Sequence, residues 1–289
     1  MELNQPASQT IAVEAKYNLS NDQEVGMREL RKLRAEAWDQ NWPFRDQFDD
    51  GPRTVREAAA ARGFTTKEQY VNAVQLDYGY AIIALQRAVE HAANYSGKKA
   101  HVRPFNSTCY GNCGQEDTAT IGGKGGYGQN LHGYADMNAS MQGWGFGEVN
   151  ALKRLGGEWS SDRRNLTGHV HTFLNPRVTR IGFAGVQTAE GNAAAATAGW
   201  DATTVTSIPQ GARTEVLYRP ANTGESPSAT PKKMSLAQKN STGAPDTGII
   251  PAVGSIDEET ARILSIVVSV ISIISFLAGV AQQFNLLPF

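Results

Sequence analysis

The chain has 289 residues, 27 basic and 28 acidic, so its formal charge is −1 and no global field recruits nucleic acid or an anionic surface. Charged residues are 19% of the chain, below the roughly 25% usual for soluble domains, and no side chain beyond Arg262 is charged. A hydrophobic content of 40% and a mean hydropathy of −0.37 otherwise describe a water-soluble body, long enough for one good core or two small ones, that ends in an apolar tail.

Residues 1–20 are polar and read as a mobile leader, and Met1 to Ala15 holds neither the basic start nor the apolar run of a secretory signal. Asp22 to Gln40 then spaces Val25, Met27, Leu30, Leu33 and Ala37 by threes and fours, with Arg and Lys opposite, which predicts an amphipathic helix. Pro43 and Pro52 frame a turn-rich bridge. Thr54 to Arg62 predicts a short helix. Thr66 to Asn94 predicts a longer one, capped by Thr65 and Thr66 and apolar over so wide a face that it must be mostly buried. Gly122 to Gly128 carries five glycines in seven positions, which reads as a loop on a cleft rim; the G-x-x-x-x-G-K-[ST] spacing of a phosphate loop is absent. Ala135 to Leu155 returns to helical spacing through Met137, Met141, Trp144, Val149 and Leu152. Strands are expected at Val178 to Val186, Thr203 to Ile208 and Thr214 to Tyr218. Residues 225–254, rich in Pro, Ser, Thr, Gly and Lys without periodicity, read as a linker too polar to fold alone.

Residues 255–289 carry the clearest local signal. Ser255 with Glu258 makes a capping box that starts a helix. Ile263 to Ala281 then runs without charge or proline, about 28 Å of helix and close to the hydrocarbon thickness of a bilayer. The run predicts a membrane-associated helix, against the alternative of a buried core helix. Ser265, Ser269, Ser272 and Gly279 give it a small-residue face suited to homo-oligomeric helix contact.

Cys109 and Cys113 lie four apart in the Gly- and Asn-rich CYGNC. The pair reads as a small disulfide loop and an oxidising compartment, with two loop thiols as the alternative; a lone CxxxC is a poor zinc signature. Of the five histidines, His91 sits near the end of the long predicted helix in a structural role and His132 reads as a loop residue. His101 in KKAHVRP and His169 in TGHVHTFLNP stand at element ends, where a side chain can face a cleft.

The order of His-x-Arg-Pro at His101, GYGQNLHGY from Gly126, WGFGEVNAL from Trp144, Gly-His at His169 with Asn-Pro, Ile-Gly-Phe-Ala, and a closing TEVLYRPANTG resembles the CAP superfamily (cysteine-rich secretory, antigen 5 and pathogenesis-related-1 proteins) in its bacterial SCP-like form. The N-terminal helices and apolar tail resemble those of actinobacterial, specifically corynebacterial, surface proteins. The resemblance covers residues 21–224 and implies an α+β fold, a three-layer α-β-α sandwich whose cleft is lined by two histidines and two acids. Carried over, these are His101, His169 and Glu148, with Gln129 where the family has an acid, so one negative charge is missing. Such a cleft either holds a divalent metal, zinc on His101, His169 and Glu148, for a metal-dependent hydrolase, or forms a hydrogen-bonded network that shapes a non-enzymatic site for a lipid or cell-envelope component. The resemblance, the CxxxC and the Thr/Ser/Pro linker together imply an extracytoplasmic, envelope-anchored head, against the alternative of a cytosolic tail-anchored protein. A third reading is a membrane assembly protein that oligomerises through its C-terminal helix.

Overall fold

The structure, a computed structural model, describes residues 10–47, 51–93, 101, 103, 119–221 and 224–240. The expected Cys109–Cys113 disulfide, residues 241–254 of the expected linker, and the apolar helix with Ser265, Ser269, Ser272 and Gly279 lie outside the described residues.

In chain order the elements are β1 (Thr10–Tyr17), α1 (Leu19–Asp39), α2 (Val55–Ala60), α3 (Lys67–Asn72), β2 (Gln75–Leu76), α4 (Tyr78–Ala92), β3 (Thr120–Ile121), β4 (Lys124–Gly125) and β5 (Gly128–His132). There follow α5 (Met137–Trp144), a 3₁₀ turn (Phe146–Glu148), α6 (Val149–Arg154), α7 (Gly168–Leu174), β6 (Arg180–Thr188), β7 (Asn192–Gly199), β8 (Arg213–Pro220), β9 (Ser228–Lys232) and α8 (Leu236–Asn240). The helix starts are chemical. Thr66 and Gln69 close a capping box on α3, Asp77 accepts from Gly79 N and Tyr80 N at the head of α4, and Asp136 accepts from Ala139 N on α5.

The main sheet runs β5-β7-β6-β1-β8, with β2 added parallel to β6 and β9 parallel to β1; the five strands of the central path pair antiparallel. Side chains alternate across it, so each face buries its own core. On one face Ile181, Phe183 and Ala196 meet Leu30, Leu33, Trp144 and Phe173 of α1, α5 and α7. On the other, Ala184, Val186 and Ala195 meet Ala81, Leu85, Ala88 and Val89 of α4. This is a mixed α+β fold with helices on both faces of the sheet. Contact with α4 is close because Gly182 lacks a side chain: a Cβ there would lie 2.0 Å from Ala81 N.

Several expectations are corrected. Thr10 to Tyr17 is no leader but the strand β1, paired along its length with β8 and along its last three residues with β6. Its charged Glu14 looks out of place locally but accepts from Met234 N at 2.8 Å and pairs with Lys233 and Lys239, more than 200 residues on. Those partners belong to residues expected to be linker, where β9 and α8 form instead. The helix expected over Thr66 to Asn94 breaks at Ala73, because β2 pairs with Arg180 and Ile181 before Asp77 restarts it as α4. The one expected over Ala135 to Leu155 breaks at Gly145. No strand forms at Thr203 to Ile208. The glycine run is partly regular: Gly122 and Gly123, at φ +56° and +73°, make the two-residue turn of the β3–β4 hairpin.

Candidate functional site

The site lies between the start of α7 and the edge strand β5. Its best-determined pair is His169 and Glu148. Gly145 ends α5 at φ −95°, ψ −81°, where a Cβ would stand 2.9 Å from Leu33 Cδ2. The 3₁₀ turn that follows delivers Glu148 to the head of α7. There Glu148 Oε2 accepts from the backbone N–H of His169 at 3.1 Å and of Val170 at 3.0 Å, two of the amides a helix start leaves without partners. Its Oε1 lies 2.5 Å from His169 Nδ1. A carboxylate only accepts, so Nδ1 carries a proton and donates, which in the neutral tautomer leaves Nε2 as the acceptor nitrogen. The Glu148 side chain is 7% exposed and that of His169 16%. Nε2 of His169 has no hydrogen-bond partner among the described residues.

The far end of α7 is fixed as firmly. The buried Arg34 guanidinium of α1 donates to the carbonyls of Phe173 (2.8 Å), Asn175 (3.0 Å), Tyr70 (3.1 Å) and Val178 (3.3 Å), gathering the last turn of α7 against α1. His169 is therefore held on a helix anchored at both ends.

Across the cleft stand Gln129 on β5 and His101. Gln129 Oε1 accepts from Arg87 Nε at 2.8 Å, and Arg87 Nη2 donates to the His101 carbonyl at 3.1 Å. Arg87 also pairs with Glu90, which in turn binds Arg103, with Nη2 to Oε1 at 2.5 Å. All three charged groups are buried. Burial opposes ionisation of Glu90, but the two guanidiniums outweigh it and hold its carboxyl below the usual range. Sequence reasoning passed over this triad. The signals were there: Arg103 is the arginine of His-x-Arg-Pro, and Arg87 and Glu90 stand one helical turn apart.

His101 and His169 face each other with ring centroids 6.3 Å apart at 27°. Two more histidines complete the surroundings. His132, at the end of β5, lies 4.7 Å from the Tyr134 ring and 6.0 Å from Trp144, and its Nδ1 meets Ser140 Oγ at 3.3 Å. Burial, then the nearness of His169 and His91, pushes it down to about 4. His91 is pushed down to about 4 by burial, then by Arg87 and His101. Both are neutral at pH 7. His171 stands apart, stacked 4.5 Å from Phe44 with Nε2 2.7 Å from the Gly157 carbonyl oxygen.

The cleft has a volume of about 310 Å³. His101, Gln129 and His169 all line it, and the glycine run contributes Tyr127 and Gly128. Glu148 is not on the wall but behind His169. His169 is the second residue of α7. Among the described residues no group of three or more His, Cys, Asp and Glu is placed to hold a metal ion, and no helix is long and apolar enough to cross a membrane. No protein-family model, curated protein or solved structure matches the chain, so its site is read from the geometry of His101, Gln129, Glu148 and His169.

Proposed function

We propose that the chain is a CAP-like, three-layer α-β-α ligand-binding module, carried on the outer side of a cell-envelope membrane by its apolar segment 263–281, whose cleft between β5 and α7 holds a small molecule without turning it over. Helices on both faces of the sheet and the convergence of His101, Gln129 and His169 on one cleft support that reading. The observation that carries it is the Glu148–His169 bond. The bond from Nδ1 to Glu148 holds the imidazole, so the neutral tautomer presents Nε2 as an acceptor to a ligand hydroxyl or amide. No Ser, Thr or Cys is hydrogen-bonded to His169 among the described residues, which leaves the pair without a protein nucleophile to activate. Saturation-transfer NMR with a mixed fragment set, on the full chain and on His169→Ala, tests it. Binders lost in the variant support a cleft ligand; binders retained by it reject one.

The 6.3 Å spacing of the two imidazoles favours a second reading, metal-assisted hydrolysis with zinc on His101, His169 and Glu148. The donor set fits zinc incompletely, because Glu148 already accepts three hydrogen bonds. Zinc calorimetry with p-nitrophenyl acetate hydrolysis decides: a stoichiometric heat and a zinc-dependent rate, both lost in His101→Ala and His169→Ala, support the hydrolase.

A further inference from the structure

We infer that the cleft takes a neutral saccharide, bound by stacking on Trp159 and Tyr127 and by hydrogen bonds from the polar wall around His169. This inference rests on the ligand-binding reading above and names the ligand's chemical class.

Among the described residues, the charges that reach the wall around His101, Gln129 and His169 are paired behind it. None of the described lining residues is Asp, Glu, Lys or Arg. The Arg87 guanidinium lies behind Gln129, committed to Gln129, Glu90 and the His101 carbonyl, and Glu148 lies behind His169. A phosphate or carboxylate ligand would meet no cation fork in the described wall. An acyl chain fares no better, since Leu166 is the one aliphatic side chain among the described lining residues. What the wall offers is hydroxyls and amides (Ser160, Ser161, Thr172, Gln47, Gln129), two imidazoles, and two aromatic rings. That combination matches a molecule with hydroxyls around its edge and C–H groups on its face. Positively polarised C–H groups of a sugar ring settle against the negative face of an indole or phenol.

Trp159 is exposed and yet built in, while Tyr127 is half-buried against the core. Trp159 is 47% exposed and lines the cleft. The backbone beside it is strapped to the foot of α7: Thr167 Oγ1 donates to Glu158 O at 2.8 Å and accepts from Ser160 N at 2.7 Å, and Thr167 N donates to Ser160 O at 3.0 Å. Gly168 makes room for the indole, since a Cβ there would be 3.3 Å from Trp159 Nε1. The indole thus rests beside Gly168, the residue before His169. Tyr127, also on the cleft wall, is anchored by its N–H to Ala198 O at 2.7 Å and backed by Trp200, whose ring centroid is 4.9 Å away and which is itself 51% exposed. A platform ordered before binding loses little entropy when the ligand arrives. The 310 Å³ volume stands at the small end of ligand pockets, of order 300–1,000 Å³, and suits one or two sugar rings.

The test is intrinsic tryptophan fluorescence of the full chain titrated with methyl β-D-glucopyranoside, methyl β-D-galactopyranoside, N-acetylglucosamine, cellobiose and chitobiose, with sodium decanoate and inorganic phosphate as contrasting probes. At least one saccharide is expected to give a saturable change with a dissociation constant on the order of 1 mM, the range open to a ligand of about a dozen heavy atoms. Trp159→Ala weakens it at least about tenfold, Trp159→Phe less, and circular dichroism of both variants matches the parent. Decanoate or phosphate binding that is lost in His169→Ala, with no saccharide binding, overturns the saccharide assignment and leaves the cleft reading standing. No response to any probe, with the ring signals of His101 and His169 unmoved, overturns both. A saccharide affinity unchanged in Trp159→Ala also overturns the inference.

Discussion

Replacing Glu148 by Gln should reverse which nitrogen of His169 carries the proton. The carboxylate accepts three hydrogen bonds, from His169 Nδ1, His169 N and Val170 N. An amide has one oxygen to share among them. If that oxygen faced Nδ1, the NH₂ group would confront two helix N–H donors that cannot move; if it faces those two donors, the NH₂ meets Nδ1, which can shed its proton to Nε2. The second arrangement leaves no clash, so Glu148→Gln drives His169 from acceptor to donor at Nε2. The stability loss is that of charge assistance on three bonds, from about 2 to about 1 kcal/mol each, or about 3 kcal/mol in all. Urea unfolding gives the loss and ¹⁵N spectra of the histidine rings give the tautomer. A variant that keeps its proton on Nδ1, or loses under about 0.5 kcal/mol, refutes the reasoning.

Asp22 supplies a pH dependence opposite to that of the histidines. Burial raises its carboxyl to about 7 from an ordinary 3.8, against the pull of the Gly185 N–H bond and with repulsion from Asp136. A raised pKa contributes stability that is full below about pH 4 and lost as pH climbs through 7. His91 and His132, lowered from 6.5 to about 4, contribute stability present above pH 6.5 and lost as pH falls toward 4. Asp22→Asn removes the first effect alone, so its melting temperature should fall more steeply than the parent's between pH 7 and 4; parallel curves reject the assignment. Gly182→Ala drives a Cβ into the α4 backbone at Ala81 and should cost about 3 kcal/mol or more, read by urea unfolding. An unaffected midpoint would show that α4 packs elsewhere. Gln129→Glu places a carboxylate beside Arg87, where two arginines and one glutamate leave a net positive charge. It should match the parent in stability at pH 7, while Gln129→Leu, which strands a buried Arg87 donor, loses about 2 kcal/mol. Equal losses in the two variants reject the charge argument.

What could be read from the residues was what depends on near neighbours. The periodicity of α1, the Thr66 cap and the β6 and β8 strands rest on three- to nine-residue patterns, and His101, Gln129 and His169 were found through short motifs. What was missed depends on partners far along the chain. Thr10 to Tyr17 reads as polar because Glu14 and Lys16 interrupt it, and only Lys233, Lys239 and the Met234 amide make Glu14 acceptable in a sheet. Residues 228–232 read as linker because a parallel edge pairing with β1 leaves no alternation to detect. The breaks at Ala73 and Gly145 had local signals in Asp77 and Gly145, which a continuous apolar face outweighed. In the site, Glu148 could be named but not its place. A carboxylate turned toward a helix start behind His169 and one turned into the cleft look the same in sequence.

The most direct measurement is a ¹³C,¹⁵N histidine-ring spectrum of the full chain, titrated with the saccharide that binds most tightly. The signals of His101 and His169 should move together and saturate at one concentration, His169 keeping its Nδ1 proton, while His171, stacked on Phe44 away from the cleft, stays still. Movement of His171 alone, or of none of the three at saturation, contradicts a ligand seated between β5 and α7.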